Sequence, residues 1–376
     1  MAVKNYETLN TNTDVTTTRT LLHETVPLTG TIVSGTYTNY TVTGETNIKN
    51  YSHGMFQSVY DYAYLSSSAN HIFDVTIGYS NNSSLSSSAN EQNAKKINIY
   101  NEMAQTLLGY NVTGGIEIFE NDLNVADDGG PSQMKEVFFL NFSRLLSKDQ
   151  LKKGSFSLTI GTASWATPYG GGSAGDPIGV TLTDLSASDT QGTTNTAAGG
   201  DYGLLYHSPF TASAVGVVFY QAGVAVVTAS IFCSASATGP EALGGTTSTG
   251  SQDQFNLNNS TMYGITGSWT DLPISSSCDA VRHRINNLSF NNTTEINSTI
   301  YFCRASAPKF NYSANRTYTT GSKIRVKNEA TNNPVSYITT IGLYNASNEL
   351  MAVAKVSEPI KKDPTNEVTL RVRLDF

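Results

Sequence analysis

Residues 171–175 read Gly-Gly-Ser-Ala-Gly, the GxSxG spacing in which a sharp strand-to-helix turn exposes a nucleophilic serine, here Ser173. His207 and Asp201 are the residue types that would supply its base and the carboxylate orienting that base. The arrangement works only with an apolar strand before it and a helix after it. "SWATPYG" precedes and "DPIG" follows, so neither support is encoded and a glycine-rich loop is the better reading. The same stretch, Gly170 to Gly175, also satisfies GxGxxG. Dinucleotide binding needs those glycines to open a helix, and Asp176–Pro177 denies a clean helix start there.

The remaining reactive residues are dispersed. His23, His53, His71, His207 and His283 share no metal-ligand spacing. His71 and Asp74 sit three apart in a predicted strand, which places them on opposite faces. His283, between Arg282 and Arg284, is expected at a surface or interface. The acids of "AGDPIGVTLTDLSASD" fit no calcium loop and read as solvated turns. Cys233, Cys278 and Cys303 are odd in number and far apart, with no CxxC, so reduced buried thiols are expected. Nothing here calls for a metal, a cofactor or enzymatic turnover.

The elements that would position such residues are mostly strands. Charged residues make up only 14% of the 376 and hydrophobic ones 39%, a mixture suited to short strands joined by polar turns. The 20 Tyr and 15 Phe can bury a core, which a disordered chain lacks. They lie in apolar β-prone runs, so core and subunit interface are favoured over a carbohydrate-binding surface. Residues 1–50 read as an extended Thr-rich arm or edge hairpins, 51–160 as an α+β domain, 161–303 as a low-charge β-rich domain with loop insertions, and 304–376 as a basic β module. "HIFDVTIGY" (71–79) is a strand. A helix follows, with Ser88 and Glu91 at capping-box spacing, Ile97, Tyr100, Ala104, Leu107 and Leu108 on one stripe, and Gly109 as its stop. Ser147 and Gln150 repeat the box and predict a shorter helix ending at Gly154. "PYGGGSAGDP", "TQGTTNTAAGGDYG" and "TGPEALGGTTSTGSQ" read as loops. "VGVVFYQAGVAVVTASIF" (215–232) approaches the length of a membrane span, but β-branching and Gln221–Gly223 at its middle make it strand–turn–strand. The fold class expected is α+β: predominantly antiparallel β, two or three short helices, and β-sandwich-like modules with long Gly/Ser/Thr loops.

Charge is polarised along the chain. Residues 304–376 hold 11 Lys/Arg against 6 Asp/Glu, leaving 12 against 24 for residues 1–303, within a net charge of −7. No Lys/Arg run exceeds two, which argues against nucleic acid and for complementary protein surfaces. "MAVKNYETLNTNTDVTTTRT" has no apolar core of a signal peptide, so the Asn-X-Ser/Thr sequons at Asn39, Asn141, Asn297 and Asn345 read as products of composition. Residues 336–362 form two strands around a tight polar turn. In the final strand Val368, Leu370, Val372, Leu374 and Phe376 alternate with Thr369, Arg371, Arg373 and Asp375. That alternation predicts a half-buried end with Phe376 docked. Lys355, Lys361, Lys362, Arg371 and Arg373 become the candidate assembly interface.

The segments "GLYN…NELMAVAKVSEPIKKD", "RVRLDF", "ANHIFDVTIGYS", "KINIYNEMAQTLLGY", "EVFFLNFSRLLSKDQLKKGSF", "VGVVFYQAGVAVVTASIF" and "FNNTTEINSTIYFCR" carry a resemblance. They are similar to uncharacterised virion structural proteins, of tail or baseplate type, from marine and cyanobacterial contractile-tailed bacteriophages. The similarity spans most of the chain and thins at 165–200 and 235–275. A "GLYD-x-x-G-x-LLAVA" hairpin recurs in tail-fibre attachment and baseplate proteins. The resemblance implies a non-enzymatic tail or baseplate component, assembled in the host cytoplasm, with other copies and neighbouring tail proteins as partners. A receptor-binding or fibre-adaptor protein contacting host-surface glycan, and a capsid decoration or neck protein, are the alternatives it leaves open.

Overall fold

The computed structural model describes residues 6–29, 46–83, 86, 90–120, 133–161, 179–184, 195–207, 214–229, 261–262, 265–266, 273–311, 317, 319–320, 323–324 and 335–376. Ser88, Cys233, Asp189 and the 170–176 stretch with Ser173 lie outside them. The strands begin with β1 (Val15–Thr29), β2 (Ile48–Asn50), β3 (Gln57–Tyr60), β4 (His71–Tyr79), β5 (Glu136–Phe142), β6 (Gln150–Leu151) and β7 (Ser157–Gly161). Next come β8 (Gly179–Thr183), β9 (Asn195–Ala197), β10 (Gly200–His207), β11 (Ala214–Phe219), β12 (Val224–Thr228), β13 (Thr261–Met262) and β14 (Ile265–Thr266). The last are β15 (Ile285–Ala305), β16 (Thr319–Thr320), β17 (Lys323–Ile324), β18 (Ser336–Tyr344), β19 (Leu350–Lys362) and β20 (Val368–Asp375). Helices are α1 (Glu91–Leu107), α2 (Arg144–Ser147) and α3 (Ile274–Arg284). The fold class is therefore α+β and predominantly antiparallel β. Two compact units divide the chain: residues 23–294, and residues 1–22 together with 295–376.

In the larger unit the strands run in the order β15-β7-β8-β10-β11-β12-β5-β4-β3-β2, with β6 added to β15 and β9 to β10. Its centre is apolar on both faces. Every residue of β11 and β12 is buried, and the pairing of Phe219 with Val224 closes the hairpin read from 215–232. Phe119 touches Tyr100, Phe139 and Phe219 edge-on at 5.4–6.4 Å between ring centres, a geometry aromatic quadrupoles favour.

Helix α1 lies on β4. Gly78 permits the approach: a Cβ there would stand 2.9 Å from the backbone nitrogen of Tyr100 and 3.0 Å from the Lys96 carbonyl. The helix is buried along Asn93, Lys96, Ile99, Tyr100, Ala104 and Leu107, while Ile97 and Leu108 are half-buried. Its cap is Asn90, whose side chain accepts from the Asn93 N–H at 2.7 Å, two residues past the start read at Ser88. Gly109, at φ +95°, takes up the C-terminal end as expected.

Four local expectations are corrected. No helix follows Ser147. The single turn α2 precedes it, capped by Ser143, and Gln150–Leu151 pairs with β15. The box spacing was there without an apolar helical stripe behind it. "TQGTTNTAAGGDYG" is not wholly loop, since residues 195–203 form the β9–β10 hairpin. His71 and Asp74 meet at 2.8 Å instead of facing apart. Tyr60 pairs with His71 and Val59 with Phe73, so Ile72 is a bulge that resets the alternation. Asp184 is no solvated turn residue. It is 1% exposed and accepts from the Gly154 and Phe156 N–H groups and the Tyr220 hydroxyl at 2.8–2.9 Å.

Beneath α3, Gln57 donates to Asp279 at 2.7 Å and accepts from the wholly buried Arg282 at 3.0 Å, and Arg282 returns to Asp279 at 2.9 Å. Each buried polar atom of this triangle gains a partner, which is what makes a buried guanidinium tolerable. Cys278, also buried, donates to the Val75 carbonyl, and burial pushes its thiol up, away from reactivity. Cys303 is only half-buried.

Candidate functional site

Of the residues with apparent catalytic spacing, Ser173 lies outside the described residues and Asp201 has other partners. Asp201 is engaged by Lys153 at 2.7 Å and by Thr196 at 3.0 Å, and the lysine holds its carboxyl below the usual range. His207 closes β10. His71, Asp74 and Ser58 do converge, but the carboxylate stands between the other two and the serine donates to it. A serine nucleophile needs its base beside it, so this order activates nothing. Among the described residues, no group of three His, Cys, Asp or Glu is placed to hold a metal. No described helix is long and apolar enough to cross a membrane.

The smaller unit presents a different kind of site. Its sheet portion is β1, β15 and β20, with Ser298 paired to Asp375 and Ala305 to Val368. In β20 the expected alternation holds. Val372 is buried, Val368, Leu370 and Leu374 are half-buried, and Thr369, Arg371, Arg373 and Asp375 are exposed. Phe376 departs from it. Its backbone exchanges hydrogen bonds with Asn297 at 2.8 and 3.0 Å, but its ring is 76% exposed. The main chain is docked and the side chain is not.

Among the described residues β18 and β19 pair only with each other, from Ser336–Lys362 at the root to Tyr344–Leu350 at the tip. One face carries Ile338, Ile341, Leu343, Ala352, Ala354 and Ile360, all half-buried. The opposite face is apolar and open: Tyr337, Tyr344, Leu350 and Val353 are exposed, as is Met351, the extra residue of a tip bulge. Tyr344 and Leu350 close over Gly342, where a Cβ would stand 2.9 Å from the Tyr344 ring. Tyr6 meets Tyr344 edge-on at 5.0 Å and ties the N-terminal arm to the hairpin tip.

The five predicted interface cations divide. Lys362 does not belong among them. It is wholly buried at the hairpin root, where its three ammonium donors reach the Ala307 and Asp363 carbonyls and Asn311 Oδ1 at 2.9–3.1 Å. It shares the inward face with Ile360, one residue from the outward Lys361. Arg373 is exposed but occupied, donating to Asp375 at 2.7 Å and to Ser298 at 3.0 Å. Ser298 and then Arg373 hold the Asp375 carboxyl below its ordinary value. Lys361 stands 4.0 Å from Asp363. Lys355 and Arg371 are exposed and form no ion pair among the described residues. Part of the basic bias is spent inside the unit, since Arg304 pairs with Asp14 and Lys309 with Glu7 in the arm.

The site is thus an apolar ribbon face edged by Lys355 and Lys361. Sequence reasoning picked out its cations and missed its apolar side chains. The signal was present: "LMAVAKV" and "SYITTIGLY" place large apolar residues in both phases of a strand. No protein-family model, curated protein or solved structure matches the chain.

Proposed function

We propose that this chain is a structural component of a bacteriophage virion, a tail or baseplate protein that assembles through the outer face of its C-terminal hairpin. The observation that carries the reading is the open apolar face of β18–β19. Tyr337, Tyr344, Leu350, Met351 and Val353 are 41–69% exposed on a ribbon that has two strands among the described residues. Such ribbons are marginal in water, and contiguous exposed apolar surface marks an interaction site. A repeated neighbour that covers the face removes both liabilities and turns each hairpin into a joint.

Charge supports the same partner. Lys355 and Lys361 edge the face, while residues 1–303 carry twice as many acids as bases. A neighbouring copy, or another acidic tail protein, offers the complementary surface. The sequence resemblance to tail and baseplate proteins points the same way.

The test is a double substitution, Tyr337→Asp with Val353→Asp. Both side chains are exposed, so folding by circular dichroism should be unchanged. Incorporation into particles should fall sharply. Normal incorporation of the folded double variant would overturn the hairpin's role.

A further inference from the structure

The larger unit holds a cavity of about 610 Å³ between the end of β4, helix α1 and the segments 115–118 and 133–135. That lies within the roughly 300–1,000 Å³ range of small-molecule pockets. Its wall is dominated by amides. Asn101 on α1 and Gln133 ahead of β5 are half-buried and hydrogen-bond to no described residue through their side chains. Lys135 lines it too and forms no ion pair among the described residues, while Glu117 supplies a carboxylate. Ile116 and Ile118 add a half-buried apolar strip.

The frame around these groups is fixed. The Tyr100 hydroxyl donates to the Met134 carbonyl at 2.9 Å and accepts from the Phe119 N–H at 3.1 Å, pinning the floor to both flanking segments. The Asn111 side chain accepts from the Gly115 and Thr113 N–H groups at 2.8 and 3.1 Å and shapes the rim. The unspent amides therefore project from a preformed wall, which lowers the ordering cost of binding.

We infer that this cavity binds a neutral saccharide unit. Each primary amide offers two donors and an acceptor, the pattern that adjacent sugar hydroxyls complete. The Lys135 ammonium strengthens such bonds, and Glu117 in the same lining balances its charge, which disfavours phosphates and acidic sugars. The isoleucine strip matches the C–H face of a pyranose ring. This site is separate from the hairpin face and does not depend on the virion reading.

The experiment is saturation-transfer NMR on the purified full chain with methyl glucoside, methyl galactoside, methyl mannoside and N-acetylglucosamine, followed by titration of any that binds. At least one should receive saturation. Asn101→Ala with Gln133→Ala should weaken its affinity about tenfold or more, with an unchanged melting curve because neither side chain bonds another described residue. Should the pair prove unstable, Asn101→Ala alone, on the helix surface, serves as the second variant. Silence from all four sugars, or transfer undiminished in the folded variant, would refute the site.

Discussion

Lys361 and Lys362 are adjacent, identical and opposite in environment, and their replacement by methionine separates structure from surface within one residue. Lys362 makes three hydrogen bonds with a charged donor, and Met keeps the stem while deleting all three. Bonds of that kind contribute roughly 1.5–3 kcal/mol each, so about 4.5–9 kcal/mol is lost in gross terms. Removing the buried ammonium recovers a desolvation cost of several kcal/mol. The half-buried Ala307 and Asp363 carbonyls partly regain water. The net destabilisation should be about 2–3 kcal/mol. For a unit of roughly 100 residues that lowers the melting temperature by about 10–20 °C. Lys361→Met removes one exposed ion pair at 4.0 Å and should move it by no more than about 3 °C. Thermal melting followed by circular dichroism measures both. Equal shifts in the two variants would refute the assignment of Lys362 as the clamp of the hairpin root.

Gly78→Ala should cost about 1–3 kcal/mol, because the new methyl must push the α1 backbone away from β4; urea denaturation reads this directly. Asp184 is raised by burial, so the native state holds its proton more tightly than the unfolded chain does. Its contribution is full below the ordinary value of 3.8 and is lost as pH rises through the higher native value. Asp184→Asn should therefore flatten the fall in stability over that window in melts taken at successive pH. Arg371→Glu should leave the fold intact and impair particle incorporation. Adding Arg373→Glu should contribute little, since Arg373 already serves Asp375 and Ser298, and normal assembly of the double variant would make the basic edge mere solvated surface.

What could be read from sequence followed the strength of the local pattern. The β11–β12 hairpin was legible because two continuous apolar runs flank a single polar break. α1 was legible because its stripe spans several turns and ends at a glycine. The second helix was misread because capping spacing alone, without an apolar stripe, also fits a single turn running into a strand. His71 and Asp74 were misplaced by one bulged residue, which no periodicity reveals. Lys362 was hidden by its neighbour, although its phase with Ile360 already placed it inward. The exposed hairpin face was overlooked because apolar residues in a strand are expected to be covered, and here only Tyr6 among the described residues is seen to reach it, at Tyr344.

Mass spectrometry of phage particles separated into heads and tails tests the proposed tail role directly. If the chain is a tail component, its peptides should be found in the tail fraction at a fixed ratio to the other tail proteins. Within that fraction Tyr337 and Tyr344 should be protected from surface labelling that modifies them in the free protein. Absence from purified particles, or a variable trace amount in both fractions, would contradict it.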